Sequence, residues 1–180
     1  MTGRGETALF GGLPDSARLW IFGVGRSLSG EEEARLLGSV AAFLGGWKAH
    51  GRPLAALHEW MGGRFLLVAV DDRTVSPSGC SIDALVGRLR TLEAEFGTEI
   101  VGGAPVWYRS GGTGGAIERV SRPVFRDRAR AGLVTGETVV FDLSLERVGE
   151  FRAGRFERPA RESWHRRYLA PRAPEAAPLR

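Results

Sequence analysis

Two strand-like runs, Pro53 to Met61 and Arg64 to Asp71, are separated only by Gly62-Gly63, and this spacing constrains the chain more than any other feature. Adjacent glycines between β-prone runs mark a tight hairpin, because both turn positions then accept a positive φ without steric cost. A helical pattern lies on either side. Ser29 followed by Glu32 spells a capping box, Glu31 to Glu33 suit the positive end of the helix dipole, and Leu36, Val40, Phe43, Leu44 and Trp47 recur at helical spacing. This first helix is expected to run through His50 and stop at Gly51. Downstream, Ile82, Leu85, Val86, Leu89, Leu92 and Phe96 form one apolar face closed by Gly97. With further runs at Leu19 to Val24 and Val106 to Arg109, residues 19–109 read strand, helix, strand, strand, helix, strand. That order predicts an α+β fold with a ferredoxin-like βαββαβ core, an antiparallel sheet carrying both helices on one face.

Beyond the core, a glycine-rich turn at 111–115, a strand at 116–120, a helix near 123–131 and a strand at 138–141 read as a C-terminal extension over 110–169. Residues 1–17 are read as a flexible N-terminus, 18–169 as a single domain, and the proline-containing stretch 170–180 as a disordered basic tail. Charge follows the same division. Residues 151–180 carry eight basic against three acidic groups, while 1–120 carry 12 against 13 and 121–150 carry five of each. The net charge of +4 therefore describes a neutral body with a basic end rather than a basic face.

Single residues exclude whole classes of chemistry. One cysteine rules out an internal disulfide framework and a cysteine-rich zinc site. The only lysine, Lys48, does not follow a glycine-rich loop, so no Walker A motif exists, and Gly23-Val24-Gly25 lacks the third glycine of a dinucleotide-binding turn. No apolar run approaches the ~20 residues that span a bilayer. The chain is read as cytoplasmic, with no membrane partner and no cofactor.

The hairpin locates a candidate site. Pairing outward from Gly62-Gly63 sets Met61 opposite Arg64, Leu54 opposite Asp71 and Pro53 opposite Asp72. The segments Trp47 to Arg52, Val70 to Asp72 and Ser78 to Asp83 are then expected at one edge, with Arg109 at the same end of the sheet. Cys80 falls at the start of the second helix, where free backbone N–H groups and the dipole favour an anion and a thiolate. Two readings stay open. In one, the N–H groups of Ser78, Gly79 and Ser81, with Asp83, Arg52 and Arg109 nearby, accept an anionic group of a small ligand. In the other, Cys80 is a nucleophile, with His50 as base and Asp71 or Asp72 as its orienting carboxylate. His50, Asp71 and Asp83 could chemically suit a divalent ion, but no ligand spacing supports a metal. His58 reads as a half-buried strand residue. Trp20, Trp60 and Trp107 read as sheet packing, and Phe65 alone does not make a base-stacking platform on the third strand. Contact with nucleic acid, or with a protein partner, is left to the basic end.

At Trp47-Lys-Ala-His50-Gly51-Arg-Pro-Leu54, Val70-Asp71-Asp72, Ser78-Gly-Cys-Ser-Ile-Asp83 and Ser163-Trp164-His165 the chain resembles a family of small bacterial proteins. These are commonly labelled "ABC transporter ATPase", chiefly in the Bacteroidetes, and the resemblance spans roughly residues 18–169. The family's label conflicts with the absence of Walker motifs. The resemblance adds His165 as an alternative base, if a folded-back C-terminal segment carries it to the edge that holds Cys80.

Overall fold

A computed structural model describes residues 9–169; the tail 170–180 and residues 1–8 lie outside them. In chain order its elements are β1 (Arg18–Gly23), α1 (Gly30–Gly45), β2 (Lys48–Ala49), β3 (Arg52–Pro53), β4 (Ala55–Met61), β5 (Phe65–Asp71) and α2 (Gly79–Phe96). Then follow β6 (Val106–Arg109), β7 (Ile117–Val120), α3 (Arg122–Arg130), β8 (Val139–Phe141), α4 (Val148–Arg152) and β9 (Glu157–Pro159). Two 3₁₀ turns, Ala160–Glu162 and Trp164–Tyr168, end the described chain. The fold is α+β with antiparallel sheets, and no helix among the described residues is long and apolar enough to cross a membrane.

The chain divides into two compact units. One comprises the residues up to Gly103 together with Asp142–Phe156, the other Ala104–Phe141 together with the residues from Glu157 onward. The boundary thus falls elsewhere than between a core at 19–109 and an extension at 110–169.

In the first unit a three-stranded sheet has the order β1-β5-β4. The central strand β5 is apolar throughout, and Phe65 to Val70 are all buried, as a strand covered on both faces must be. Leu66, Val68 and Val70 face α1 and α2, joining Leu36, Val40, Leu44, Leu85, Leu89 and Leu92 in one core. Phe65 faces the other way and meets Phe156 edge-on at 5.2 Å, followed by Phe151 and then Phe10. Phe10 and Ala17 are fully buried, so the end of the stretch expected to be flexible is part of this core. The capping box is present as expected: Ser29 Oγ accepts from the Glu32 N–H and the Glu32 carboxylate accepts from the Ser29 N–H.

Three expectations fail here for definable reasons. The strand β6, expected as the fourth strand of the first sheet, belongs to a second sheet of order β7-β6-β8-β9, because Trp107 and Tyr108 are paired on both edges, to Arg119 and Glu118 on one side and Phe141 and Val140 on the other. The open edge of β1 instead receives the segment before α4, with the Leu19 N–H donating to Glu146 O at 2.8 Å and a bridge between Arg18 and Arg147. The β4–β5 register is one residue off, with Met61 opposite Phe65 and Ala55 opposite Asp71. Arg64 closes the turn instead, its N–H donating to Met61 O at 3.0 Å, while its carbonyl accepts from the Val24 N–H at 2.7 Å and its guanidinium donates to Val24 O and Gly25 O, both at 3.0 Å. Finally, α1 ends at Gly45 rather than His50. Residues 48–53 form a small hairpin instead, with His50 at φ +51° and Gly51 at +76° making its two-residue turn.

The second unit is built on short strands. Its core gathers Val106, Tyr108, Phe125, Ala129, Val134, Val140, Ala160 and Tyr168. The turn between β6 and β7 requires glycine at 115, where any side chain would collide with the Ser110 carbonyl oxygen.

Candidate functional site

The edge singled out in the sequence lies in the first unit and is partly assembled. Strand β2 packs against α2, and the buried Trp47 indole N–H donates to Ser81 O at 2.8 Å. Ser78 caps α2: its hydroxyl accepts from the Ser81 N–H at 3.2 Å, while its carbonyl accepts from the Ser81 hydroxyl at 2.8 Å and the Ile82 N–H at 3.0 Å. Ser81 is thereby turned inward and buried. Gly79, Cys80 and Asp83 are exposed on the same first turns, and His50 and Arg52 are exposed on the small hairpin.

The polar groups that a thiol nucleophile would need are occupied otherwise. The Asp71 carboxylate accepts from Arg73 Nε at 2.9 Å and from its terminal nitrogen at 2.7 Å, and these hydrogen bonds hold Asp71 below the usual carboxylate range. Asp72 accepts from Arg147 at 3.1 Å. Among the described residues no hydrogen bond joins Cys80, His50 and Asp71, and no three His, Cys, Asp or Glu side chains converge to hold a metal ion.

Arg109 and His165 belong to the second unit. Arg109 donates to the Glu157 carboxylate and to Gly115 O at 3.0 Å and lies over the Phe141 ring, the carboxylate raising its already high pKa. His165 is fully buried. Its Nδ1 lies 2.8 Å from Ser163 Oγ, its ring stacks on Trp164 at 3.8 Å, and Phe125 meets it edge-on. His58, expected to be half-buried, is so, and burial lowers its pKa.

The second unit holds a cleft of about 540 Å³ beside the β6–β7 turn. Along one wall Tyr108 Oη donates to Glu118 Oε2 at 2.7 Å, and Arg128 donates to the same carboxylate at 2.6 Å and to the phenol oxygen. Arg109, Ser110, Gly111 and Gly112 border it on one side and Thr135 and Thr138 on another. Sequence reasoning named only Arg109 of this group. The pairing of Tyr108 with Glu118 was nonetheless legible, because counting outward from the middle of the 111–115 turn sets those two residues opposite each other.

Compared with known proteins, the chain matches no family model, no curated protein and no solved structure.

Proposed function

We propose that the chain is a ligand-binding or accessory domain rather than a thiol enzyme, and that the cleft of the second unit receives the anionic or hydroxyl-bearing head of a small ligand. The observation that carries this reading is the cleft itself. At about 540 Å³ it has the size of a small-molecule site, and its lining is mostly polar and charged, with Leu133 as the one aliphatic side chain. Arg128 is held in place by Glu118 and the Tyr108 phenol oxygen, so its remaining N–H donors are oriented before any ligand arrives. Gly111 and Gly112 donate no backbone hydrogen bond among the described residues, which leaves two N–H groups at the rim for an incoming oxygen. The start of α2 is the weaker anion site, since Ser78 and Ser81 satisfy one another there and no cation is bonded beside them. We further read the βαββα run of the first unit as a ferredoxin-like scaffold whose fourth strand position is taken by residues 146–147, and the resemblance to the family labelled "ABC transporter ATPase" as one of sequence strings without nucleotide hydrolysis.

Thermal unfolding in the presence of phosphate, sulfate, di- and tricarboxylates and simple sugars tests the assignment. At least one compound is expected to raise the Tm, the increase being lost in Arg128→Gln and kept in Cys80→Ser. Failure of every compound, or loss of the effect in Cys80→Ser alone, would overturn it.

A further inference from the structure

Arginine supplies nearly all the positive charge of this chain, and about half of the exposed guanidiniums among the described residues are matched by a carboxylate. Arg26, Arg35, Arg73 and Arg147 in the first unit and Arg109 and Arg128 in the second each meet a carboxylate. A contiguous group in the second unit does not follow this pattern. Arg122 and Arg126 project from α3 one helical turn apart, and Arg166 and Arg167 lie on the 3₁₀ turn Trp164–Tyr168, which packs against α3. All four are exposed, and none takes part in an ion pair among the described residues. The nearby acids are engaged elsewhere, Asp127 by Arg130 and Glu162 by Arg161.

Aromatic rings hold three of these cations in place without neutralising them. Arg122 lies 5.5 Å from the centre of the Trp164 ring and Arg167 lies 4.6 Å from the same ring; Arg126 and Arg167 lie 5.6 and 5.1 Å from Tyr168. Two guanidiniums sharing one ring are kept within a short span of each other, which like charges would otherwise resist, and the ring quadrupole offsets part of that repulsion. The outcome is an ordered row of forked donors whose one internal acceptor among the described residues is Ala104 O, which takes the Arg122 Nε–H at 3.0 Å. A guanidinium fork matches the paired oxygens of a phosphate, so the complement of this row is a polyanion with regularly spaced phosphates.

We propose that the surface formed by α3 and residues 164–168 binds the phosphodiester backbone of a single-stranded nucleic acid, independently of base sequence. An anionic membrane is disfavoured because adsorption to lipid needs a hydrophobic face beside the cations, and Val124 is the one large hydrophobic side chain that α3 exposes. A duplex is disfavoured because groove entry needs a projecting element, whereas α3 is nine residues long, lies against its own core through Phe125 and Ala129, and carries Asp127 among its arginines. The Trp164 ring is occupied by His165 and two arginines, so affinity is expected from phosphate contacts and not from base stacking.

Fluorescence anisotropy of the full chain with a labelled oligo(dT) of about 20 nucleotides, titrated between about 50 and 200 mM salt, decides the matter. Four phosphate contacts predict a slope of log K against log salt of about −3, and Arg126→Ala/Arg167→Ala should flatten it by about 1 to 1.5. Arg166→Glu, which disturbs no ring contact, should weaken binding several-fold, whereas Arg90→Glu on α2, an equal change in net charge, should leave it within twofold. Because Arg167 touches two rings, retention of the near-ultraviolet circular dichroism of the double variant is checked in parallel, and Arg166→Glu stands as the test if that signal changes. The proposal is overturned if the wild type gives no anisotropy change at low salt, if Arg90→Glu weakens binding as much as Arg166→Glu, or if phosphatidylserine vesicles or a duplex of the same length bind more tightly than the single strand.

Discussion

In the first unit every residue of β5 from Phe65 to Val70 is buried between two apolar layers, whereas among the described residues no strand of the second unit exceeds four residues and its core is closed by rings, among them Tyr108, Phe125 and Tyr168. Their polar groups differ in the same sense. At the α2 edge of the first unit, Ser78 and Ser81 bond each other, Asp71 bonds Arg73 and Asp72 bonds Arg147. In the second, a cleft is walled by oriented donors, and four guanidiniums have rings or solvent for company instead of carboxylates. The chemistry-bearing strings most visible in the sequence therefore sit where local structure consumes them, while the less conspicuous glycine- and arginine-rich stretch supplies the groups left free to bind.

Removing the ring at the middle of the second core gives the largest expected effect. Phe125 is fully buried and contacts Tyr108, His165 and Tyr168 at ring distances of 5.6, 6.1 and 6.3 Å. Phe125→Ala should cost about 3–5 kcal/mol. If the units are as distinct energetically as they are in composition, hydrogen exchange will show the amides of β6 and β8 losing protection while those of β5 keep it. Equal loss in both would mean that the two cores unfold as one and would break the contrast.

A smaller effect is expected at the α2 edge. Trp47→Phe keeps most of the buried ring but deletes the indole N–H that reaches Ser81 O at 2.8 Å, and should lower stability by about 1–2 kcal/mol. The same variant should speed alkylation of the exposed Cys80 by iodoacetamide, since it loosens the turn on which that thiol is carried. An unchanged Tm and an unchanged alkylation rate would show that the hairpin at residues 48–53 contributes nothing to the edge.

What could be read in advance follows from the range of the interactions involved. The capping box at Ser29 and Glu32, the apolar face from Leu85 to Phe96 and its stop at Gly97 depend on neighbours a few residues away, and all were legible. The partner of β6 was not, because an apolar four-residue strand fits either sheet and the choice depends on which edges other segments leave open. The register slip at Arg64 has the same origin: the two glycines announce a turn, and Arg64 closes it through its N–H to Met61 O, but which residue then stands opposite Met61 is not fixed by the glycines alone. At the candidate site, Cys80 could be placed at a helix start from its flanking residues alone, whereas the capture of Asp71 by Arg73 depended on a side-chain choice that spacing leaves open. The arginine row of α3 and residues 164–168 was hidden for a different reason, since counting charge along the chain assigns its members to two segments that only folding brings together.

The smallest effect concerns an ion pair at the opposite end of the same helices. Glu32 accepts from both terminal nitrogens of Arg26, at 2.8 and 2.6 Å, and from the Ser29 N–H, and Arg26 also donates to Phe96 O at 2.6 Å, so one guanidinium ties the start of α1 to the end of α2. These bonds lower the Glu32 pKa from about 4.5 to about 2, the Arg26 hydrogen bonds being the largest cause. A depressed carboxylate stabilises the fold where both folded and unfolded chains are ionised, that is, above its ordinary value. Below that value the unfolded chain takes up the proton first, and the advantage declines until the folded carboxylate is protonated as well. Glu32→Gln keeps an acceptor for the capping box but not the charge. Its deficit against the wild type should be present at pH 7, shrink as the pH falls from about 4.5 to about 2, and narrow with added salt because the pair is exposed. Urea unfolding at several pH values measures it. A deficit that stays constant across that interval would assign the role of Glu32 to capping alone, and would leave the Arg26 link between the start of α1 and the end of α2 without a share in stability.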